Sequence, residues 1–261
     1  MTWSFSPESM ATRIVCSRLL FLGTTESTNL VARQLAEEGT PEGTVVLADC
    51  QTGGKGRLGR PWLSPPGVNF YGSVVLRPAV LPRKAGQITF ITSLAAAGAL
   101  RDSFSVEAQV KWPNDILLNG KKIGGVLNEL CASQEKINYL VLGLGVNLNM
   151  TCDQLPEREL FPATSVMLEQ GEAVSRELFA RNYFQLLDRL YFRYFEEGFS
   201  SLRKEWESYC GMIGRRVDMD AEGRSVSGEV LGIDEEGFLL LRGQDGREER
   251  LLSADIRLIH D

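Results

Sequence analysis

The sequence predicts an α+β fold, a mixed β-sheet backed by helices, followed by a small all-β unit. Three observations carry this. Up to about residue 210, β-branched runs alternate with longer stretches whose apolar residues recur at helical spacing. After Cys210-Gly211 the helical periodicity stops, and short β runs follow one another at even spacing. Finally, 261 residues with 43% hydrophobic and 24% charged residues fall in the globular range and are enough for a packed core.

Taken in order, the pattern places a first helix over 27–38, where Ser27 is an N-cap candidate and Gly39 a stop signal. Thr44 to Leu47 reads as a strand running into a glycine-rich segment. Phe70 to Leu76 is a second strand, Ala85 to Phe104 is apolar at helical spacing, and Ile137 to Asn147 is strand-like. Ile116 to Leu118 and Lys121 to Leu127 flank Asn119-Gly120, a dipeptide that accepts the positive φ angles of a type I′ turn, so a hairpin is predicted. Its two-residue turn sets Leu117 opposite Lys122 and puts Asp115 on the same face. A long helix over 172–195 and a shorter one ending near Tyr209 complete a unit predicted to span 1–211. The remaining 212–261, with runs near 216–219, 225–233, 238–242 and 248–252 and turns such as Asp220-Ala221-Glu222-Gly223 between them, reads as a barrel of SH3-like size.

Charge narrows the function classes. A formal net charge of -6 disfavours nucleic acid or a membrane surface as partner. No apolar run is long enough to span a bilayer and no signal-peptide core opens the chain, so the cytoplasm is the expected location. Five cysteines (Cys16, Cys50, Cys131, Cys152, Cys210), widely spaced and without a CxxC pair, suggest neither a disulfide framework nor a thiolate zinc site. The single histidine, His260, is next to the C-terminus, which argues against histidine-dependent triads and multi-histidine metal sites. Chemistry that works by positioning and electrostatics, such as phosphoryl or nucleotidyl transfer, fits better. From Gln51 to Arg101 there are seven basic residues and no acid, where about seven acids would follow from the chain average, so an anionic ligand is expected there.

That segment holds Gly54, Gly56 and Gly59 in literal GxGxxG spacing, but Pro61, Pro65 and Pro66 forbid the helix a dinucleotide fingerprint requires, and Arg60-Pro61 stand where a P-loop needs Lys-Ser/Thr. What remains is a loop rich in N–H groups carrying Lys55, Arg57 and Arg60, suited to folding over a phosphate or carboxylate or, failing that, a solvated surface loop. Lys111-Trp112-Pro113-Asn114-Asp115 leads into the hairpin, where Asp115 and Lys122 form either a structural ion pair or a phosphate-binding cation with its orienting partner. Gly124-Gly125 inside a strand suggests close approach of a ligand or another backbone. In Gly143-Leu144-Gly145-Val146-Asn147 the amide of Asn147 either reads an adenine edge or caps a turn. Trp62 and Trp112 are core residues or stacking surfaces.

In sequence order, Glu26-Ser27-Thr28-Asn29, Gln51 with Gly54-Lys55-Gly56-Arg57-Leu58-Gly59-Arg60, Trp62-Leu63-Ser64-Pro65, Lys111 to Asp115, Lys122-Ile123-Gly124-Gly125 and Gly143 to Asn147 resemble biotin protein ligases. These enzymes activate biotin with ATP and transfer it to a lysine of a carboxylase carrier domain. The resemblance implies a catalytic domain related to class II aminoacyl-tRNA synthetases followed by an SH3-like barrel. It also implies biotin and ATP as substrates, Mg²⁺ on the phosphates with protein ligands unassigned, and the biotin carboxyl carrier protein of acetyl-CoA carboxylase or another biotin-dependent carboxylase as partner. A homodimer is compatible with it.

Carried over by motif, Ser27, Thr28, Asn29 and Gln51 would hold the biotin ring system, with Gly125, Gly143 and Gly145 lining the same site. Lys55, Gly56 and Arg57 would close over the carboxylate and adenylate phosphate, and Lys122 would contact both. Arg57, Arg60, Trp62, Asn114, Lys122 and Asn147 would form the ATP side. Lys122, Arg57 and Asp115 would carry the chemistry, Asp115 near the point where the acceptor lysine arrives. Two departures stand out. Lys55 replaces the first arginine usual in the loop, keeping charge but losing the bidentate fork. The Glu26 to Asn29 motif also starts too early to leave room for the winged helix of about 60 residues found in some bacterial members, so a ligase without DNA binding is expected. A lipoate or other acyl-adenylate ligase is the nearest alternative, although the Arg-Arg-x-Ser-Gly-Gly-Gly loop typical of lipoate enzymes is absent. A non-enzymatic biotin-dependent regulator is the other, disfavoured by the acidic charge.

Overall fold

The computed structural model describes residues 3, 5–156, 162–221 and 223–259. His260 and Glu222, both weighed above, lie outside the described residues. A seven-stranded mixed sheet is built from β1 (Arg18–Thr25), β2 (Thr44–Gln51), β3 (Phe70–Leu76), β4 (Gln109–Lys111), β5 (Asp115–Leu118), β6 (Lys121–Ala132) and β7 (Ile137–Val146), in the order β1-β2-β3-β7-β6-β5-β4. The β1–β2 pair is parallel and the other pairs are antiparallel. Between β1 and β2 runs α1 (Thr28–Glu37), and α2 (Ala85–Phe104) joins β3 to β4.

Side-chain alternation divides the sheet into two faces. Val45 and Leu47 of β2 and Val74 of β3 join the larger core with α2, α4 (Arg176–Glu197) and α5 (Phe199–Tyr209), while Val46, Val75 and Val141 pack with Ala32 and Ala36 of α1. The short α3 (Val166–Gln170) precedes α4. Helix α2 is buried along most of its length; its Ala-rich stretch around Gly98 lets α4 approach, with Leu186 3.3 Å from the point a Gly98 Cβ would occupy. On the α1 face the helix covers only part of the sheet. The parity that turns Val75 and Val141 toward α1 also turns Ser73 and Gly143 to that side, near the helix N-terminus, where Gly143 lines the main cavity and Ser73 is buried beside Asn29.

The hairpin forms as expected, with Asn119 at φ 51° and Gly120 at φ 72°, and Leu117 paired with Lys122. A bulge between Ile116 and Leu117 shifts the register beyond it, so that Asp115 lies opposite Gly125. β2 extends past Leu47 to Gln51, bringing that side chain up to α1.

β8 (Arg216–Ala221), β9 (Arg224–Ile233), β10 (Leu239–Arg242), β11 (Glu248–Leu251) and β12 (Asp255–Ile259) form a second, antiparallel sheet in the order β11-β10-β9-β8-β12. Polar contacts fix it against the rest of the chain. The Trp112 indole N–H donates to Gly237 O at 3.2 Å, Gln87 Nε2 to Glu235 O at 2.6 Å, and the Ile233 N–H to Glu207 Oε1 at 3.1 Å. Trp112 is therefore a core residue. All five cysteines are free, and among the described residues no helix is long and apolar enough to cross a membrane.

Candidate active site

A cavity of about 560 Å³ opens beyond the N-terminus of α1, and every residue assigned a biotin, ATP or catalytic role by the resemblance lines it; Trp112 and Gly124 do not. Its closed end is polar. Ser27, Thr28 and Asn29, at the start of α1, are buried there. Gln51, from the end of β2, accepts from the Thr28 N–H at 2.8 Å and donates to Ser64 Oγ at 3.0 Å. Asn29 Nδ2 donates to Leu127 O at 3.0 Å. Glycine is required beside it: a Cβ on Gly143 would stand 2.2 Å from Asn29 Oδ1 and 2.8 Å from Leu127 O. At Gly145 a Cβ would meet the Trp62 indole nitrogen at 2.5 Å, so that glycine lets the Trp62 ring lie against the sheet. At Gly125 a Cβ would find only ordinary contacts, the nearest being Trp62 at 3.7 Å. Trp62 Nε1 is buried with no hydrogen-bond partner among the described residues, a donor left over on the cavity wall.

The other end is cationic. Asp115 is gripped by two ammonium groups, Lys111 at 2.6 Å and Lys122 at 3.0 Å. Burial alone would raise the Asp115 carboxyl, but Lys111 and then Lys122 outweigh it and hold the group below the usual carboxylate range. The ion pair weighed from the sequence is thus a three-member cluster. The Lys122 ammonium also sits over the Trp62 ring, 5.5 Å from its centroid. Asn114 places its side-chain N–H on Val126 O at 2.7 Å. Asn147 donates to Thr164 O at 3.1 Å, so its amide already braces the wall while lining the cavity.

The glycine loop contains no regular helix, in keeping with its prolines; Lys55 bridges to Pro61 around a 3₁₀ turn over Arg57–Gly59. Its cations lean across to the second sheet. Arg57 donates to Ser253 Oγ at 2.5 Å and to Asn114 Oδ1 at 3.4 Å, and Arg60 pairs with Asp255. Burial lowers the Arg57 guanidinium from its ordinary value, against the opposing pull of Asp255 and Asp115. Ala254, Asp255 and Ile256 therefore complete the cavity wall, about 200 residues from the loop they face. Sequence reasoning missed these residues, as it missed Ser73 and the ligating role of Lys111. No local signal marks the first two; the acid four residues after Lys111 was visible.

Residues 22–147 match the biotin/lipoate A/B protein ligase family, and residues 212–258 match the biotin protein ligase C-terminal domain. The chain is 34% identical over 249 residues to the bifunctional ligase/repressor BirA of Bacillus spizizenii, covering 95% of this chain and 76% of that protein. It is 36% identical over 230 residues to the biotin–[acetyl-CoA-carboxylase] ligase of Paracoccus denitrificans, covering 87% and 95% respectively. Among solved structures, a biotin protein ligase from Aquifex aeolicus in complex with biotin and ATP superimposes with a TM-score of 0.79 at 28% identity, over 92% of this chain and 97% of that one. The chain belongs to the biotin/lipoate protein ligases and, within them, to the biotin protein ligases.

Proposed function

We propose that this protein joins biotin to a carrier lysine in two steps within the one cavity. The observation that carries the reading is the cavity's polarity: a closed end of neutral donors and acceptors continues without a break into an end bearing Lys55, Arg57, Arg60 and Lys122. A ring that offers N–H and C=O groups, on a chain ending in a carboxylate, fits that order.

In the first step a biotin carboxylate oxygen attacks the α-phosphorus of ATP, and pyrophosphate leaves. Charge accumulates on the phosphoryl oxygens, where Lys122 and the loop cations can stabilise it without a proton transfer. In the second step a carrier lysine amine attacks the acyl carbon of biotinyl-AMP, AMP departs, and the nitrogen loses a proton. Ser27, Thr28, Asn29 and Gln51 take the ring, with Gly125, Gly143 and Gly145 lining the same site, Gly143 making room for Asn29 and Gly145 for Trp62. Arg60, Trp62, Asn114 and Asn147 take the nucleotide side.

Mg²⁺ enters with ATP as substrate. The carboxylates lining the cavity, Asp115 and Asp255, are both already paired with cations, which fits an ion carried on phosphates better than one held by the protein. Residues 1–211 serve as a catalytic unit of the class II synthetase type and 212–261 as an SH3-like barrel. The partner is a biotin carboxyl carrier domain in the cytoplasm, with no nucleic acid involved, and a homodimer is compatible with the fold.

The test is exchange of labelled pyrophosphate into ATP with biotin or lipoate supplied separately. Exchange should require biotin, and lipoate-driven exchange at an equal rate would refute the assignment.

The state of Asp115 gives a pH prediction. A carboxylate held below its usual range is ionised at neutral pH and is a weak base, so it contributes no acid limb to adenylation near neutrality and does little to deprotonate the incoming amine. Transfer then depends on the fraction of neutral lysine, whose pKa is about 10.4, and should rise nearly tenfold per pH unit between pH 6 and 9. Single-turnover transfer from preformed biotinyl-AMP would show this. A flat profile would mean that some group in the cavity takes the proton.

A further inference from the structure

The polar end of the cavity is braced from behind by a residue that does not line it. Ser73, buried on β3, has its Oγ 2.7 Å from Asn29 Oδ1 and 2.8 Å from Thr28 Oγ1, with a single proton to serve both. Two backbone groups fix the amides on either side of it. Leu127 O can only accept, so the Asn29 amide must turn Nδ2 toward it and Oδ1 toward Ser73. The Ser73 proton therefore goes to Asn29. Thr28 then donates back to Ser73 at 2.8 Å rather than to Gln51 Oε1 at 3.1 Å, because a contact without a proton repels more the shorter it is. On the other side the Thr28 N–H can only donate, which fixes Gln51 with Oε1 inward and Nε2 on Ser64 Oγ; Ser64 in turn donates to Trp62 O at 3.1 Å. The row Asn29 Oδ1, Ser73 Oγ, Thr28 Oγ1, Gln51 Oε1 has three contacts and two hydroxyl protons, so one contact carries none; the longest, 3.1 Å between Thr28 Oγ1 and Gln51 Oε1, bears that cost best, and Thr28 Oγ1, its proton given to Ser73, presents lone pairs.

We propose that Ser73 is a positioning residue that sets the donor and acceptor pattern read by the ring. With its proton on Asn29, Thr28 faces the cavity as an acceptor, while the second amide protons of Asn29 and Gln51 remain for a carbonyl. The pattern of acceptor beside donors matches a cyclic urea, which offers N–H groups flanking a C=O, and it is mismatched to an analogue bearing N–H in place of that oxygen. This inference rests on the ligase reading above and adds the residue that fixes ring selectivity. Removing the hydroxyl leaves Asn29 Oδ1 without a donor and frees the Thr28 proton, so both groups lose their assigned polarity while their backbone positions persist.

Pyrophosphate exchange by Ser73→Ala, with biotin and with 2-iminobiotin, tests it. The KM for biotin should rise about 10- to 100-fold, with kcat and the KM for ATP within about twofold of wild type. The preference for biotin over 2-iminobiotin, as a ratio of kcat/KM values, should fall at least about fivefold, because an Asn29 amide unanchored at its oxygen can present that oxygen to the extra N–H. Ser73→Cys keeps the volume and a weaker donor and should fall between the two, which preserves the test if the alanine variant is unstable. An unchanged biotin KM, or a raised KM with the preference intact, would overturn the assignment to Ser73. Wild-type protein showing no biotin-dependent exchange would instead bring down the ligase reading on which this inference stands.

Discussion

Lys122→Ala is expected to slow biotin-dependent pyrophosphate exchange about 30- to 1,000-fold, equivalent to roughly 2 to 4 kcal/mol in the barrier. Lys122 differs from the loop cations of the cavity in its support. Lys55, Arg57 and Arg60 belong to a glycine-rich loop, whereas Lys122 sits on β6, with its N–H on Pro162 O at 2.7 Å and its carbonyl accepting from the Thr164 N–H at 2.9 Å. Its ammonium is aimed by Asp115 from one side and faces Trp62 on the other. A cation fixed in advance needs no reorganisation when charge develops on the phosphoryl group, so its loss should appear chiefly in kcat. The fold should survive, since Asp115 keeps Lys111 at 2.6 Å and the cost should stay well below the roughly 3 to 5 kcal/mol of an orphaned buried charge. A folded variant, checked by thermal melting, whose exchange stayed within twofold of wild type would remove Lys122 from the reaction.

The same loop-versus-strand contrast explains what could be read from the chain alone. Features governed by neighbours in sequence were legible: the positive φ of Asn119 and Gly120 made the hairpin visible, and the hairpin in turn put Asp115 near Lys122. The acid-free stretch around Lys55, Arg57 and Arg60 marked the cationic end of the cavity, and the residues of the other motifs come together at its polar end. β1 escaped because Arg18–Thr25 is half-exposed along its length and shows no clean two-residue alternation. β4, at three residues, is too short to leave a pattern, and the bulge at Ile116 has no signature. Ser73 looks like any small residue in an apolar strand; its role exists only because β3 brings it beside α1. The contacts of Arg57 with Ser253 and Arg60 with Asp255 are likewise products of the tertiary fold, between cations and partners about 195 positions apart.

Gly143→Ala should raise the KM for biotin about 100-fold or more. Gly143 lies in extended backbone at the centre of the sheet, paired with Ser73 on β3 and Leu127 on β6, so alanine is conformationally acceptable and the whole effect is steric. The new Cβ would stand 2.2 Å from Asn29 Oδ1 and 2.8 Å from Leu127 O. The first neighbour is a side chain that can move, but only by giving up both Ser73 and Leu127. The second is backbone locked in the β6–β7 ladder and cannot. Asn29 must therefore leave its position, taking its cavity-facing amide with it. Two opposing effects bear on stability: the loss of glycine freedom in the unfolded chain contributes about 0.4 to 1 kcal/mol in favour of the variant, and overpacking costs about 1 to 3 kcal/mol. The second is larger, so a net destabilisation of up to about 2.6 kcal/mol is expected, too little to unfold a typical domain. Binding should suffer far more than folding. Calorimetric titration of biotin beside a thermal melt separates the two, and a variant that melts lower yet binds biotin as tightly as wild type would show that Asn29 does not hold the ring.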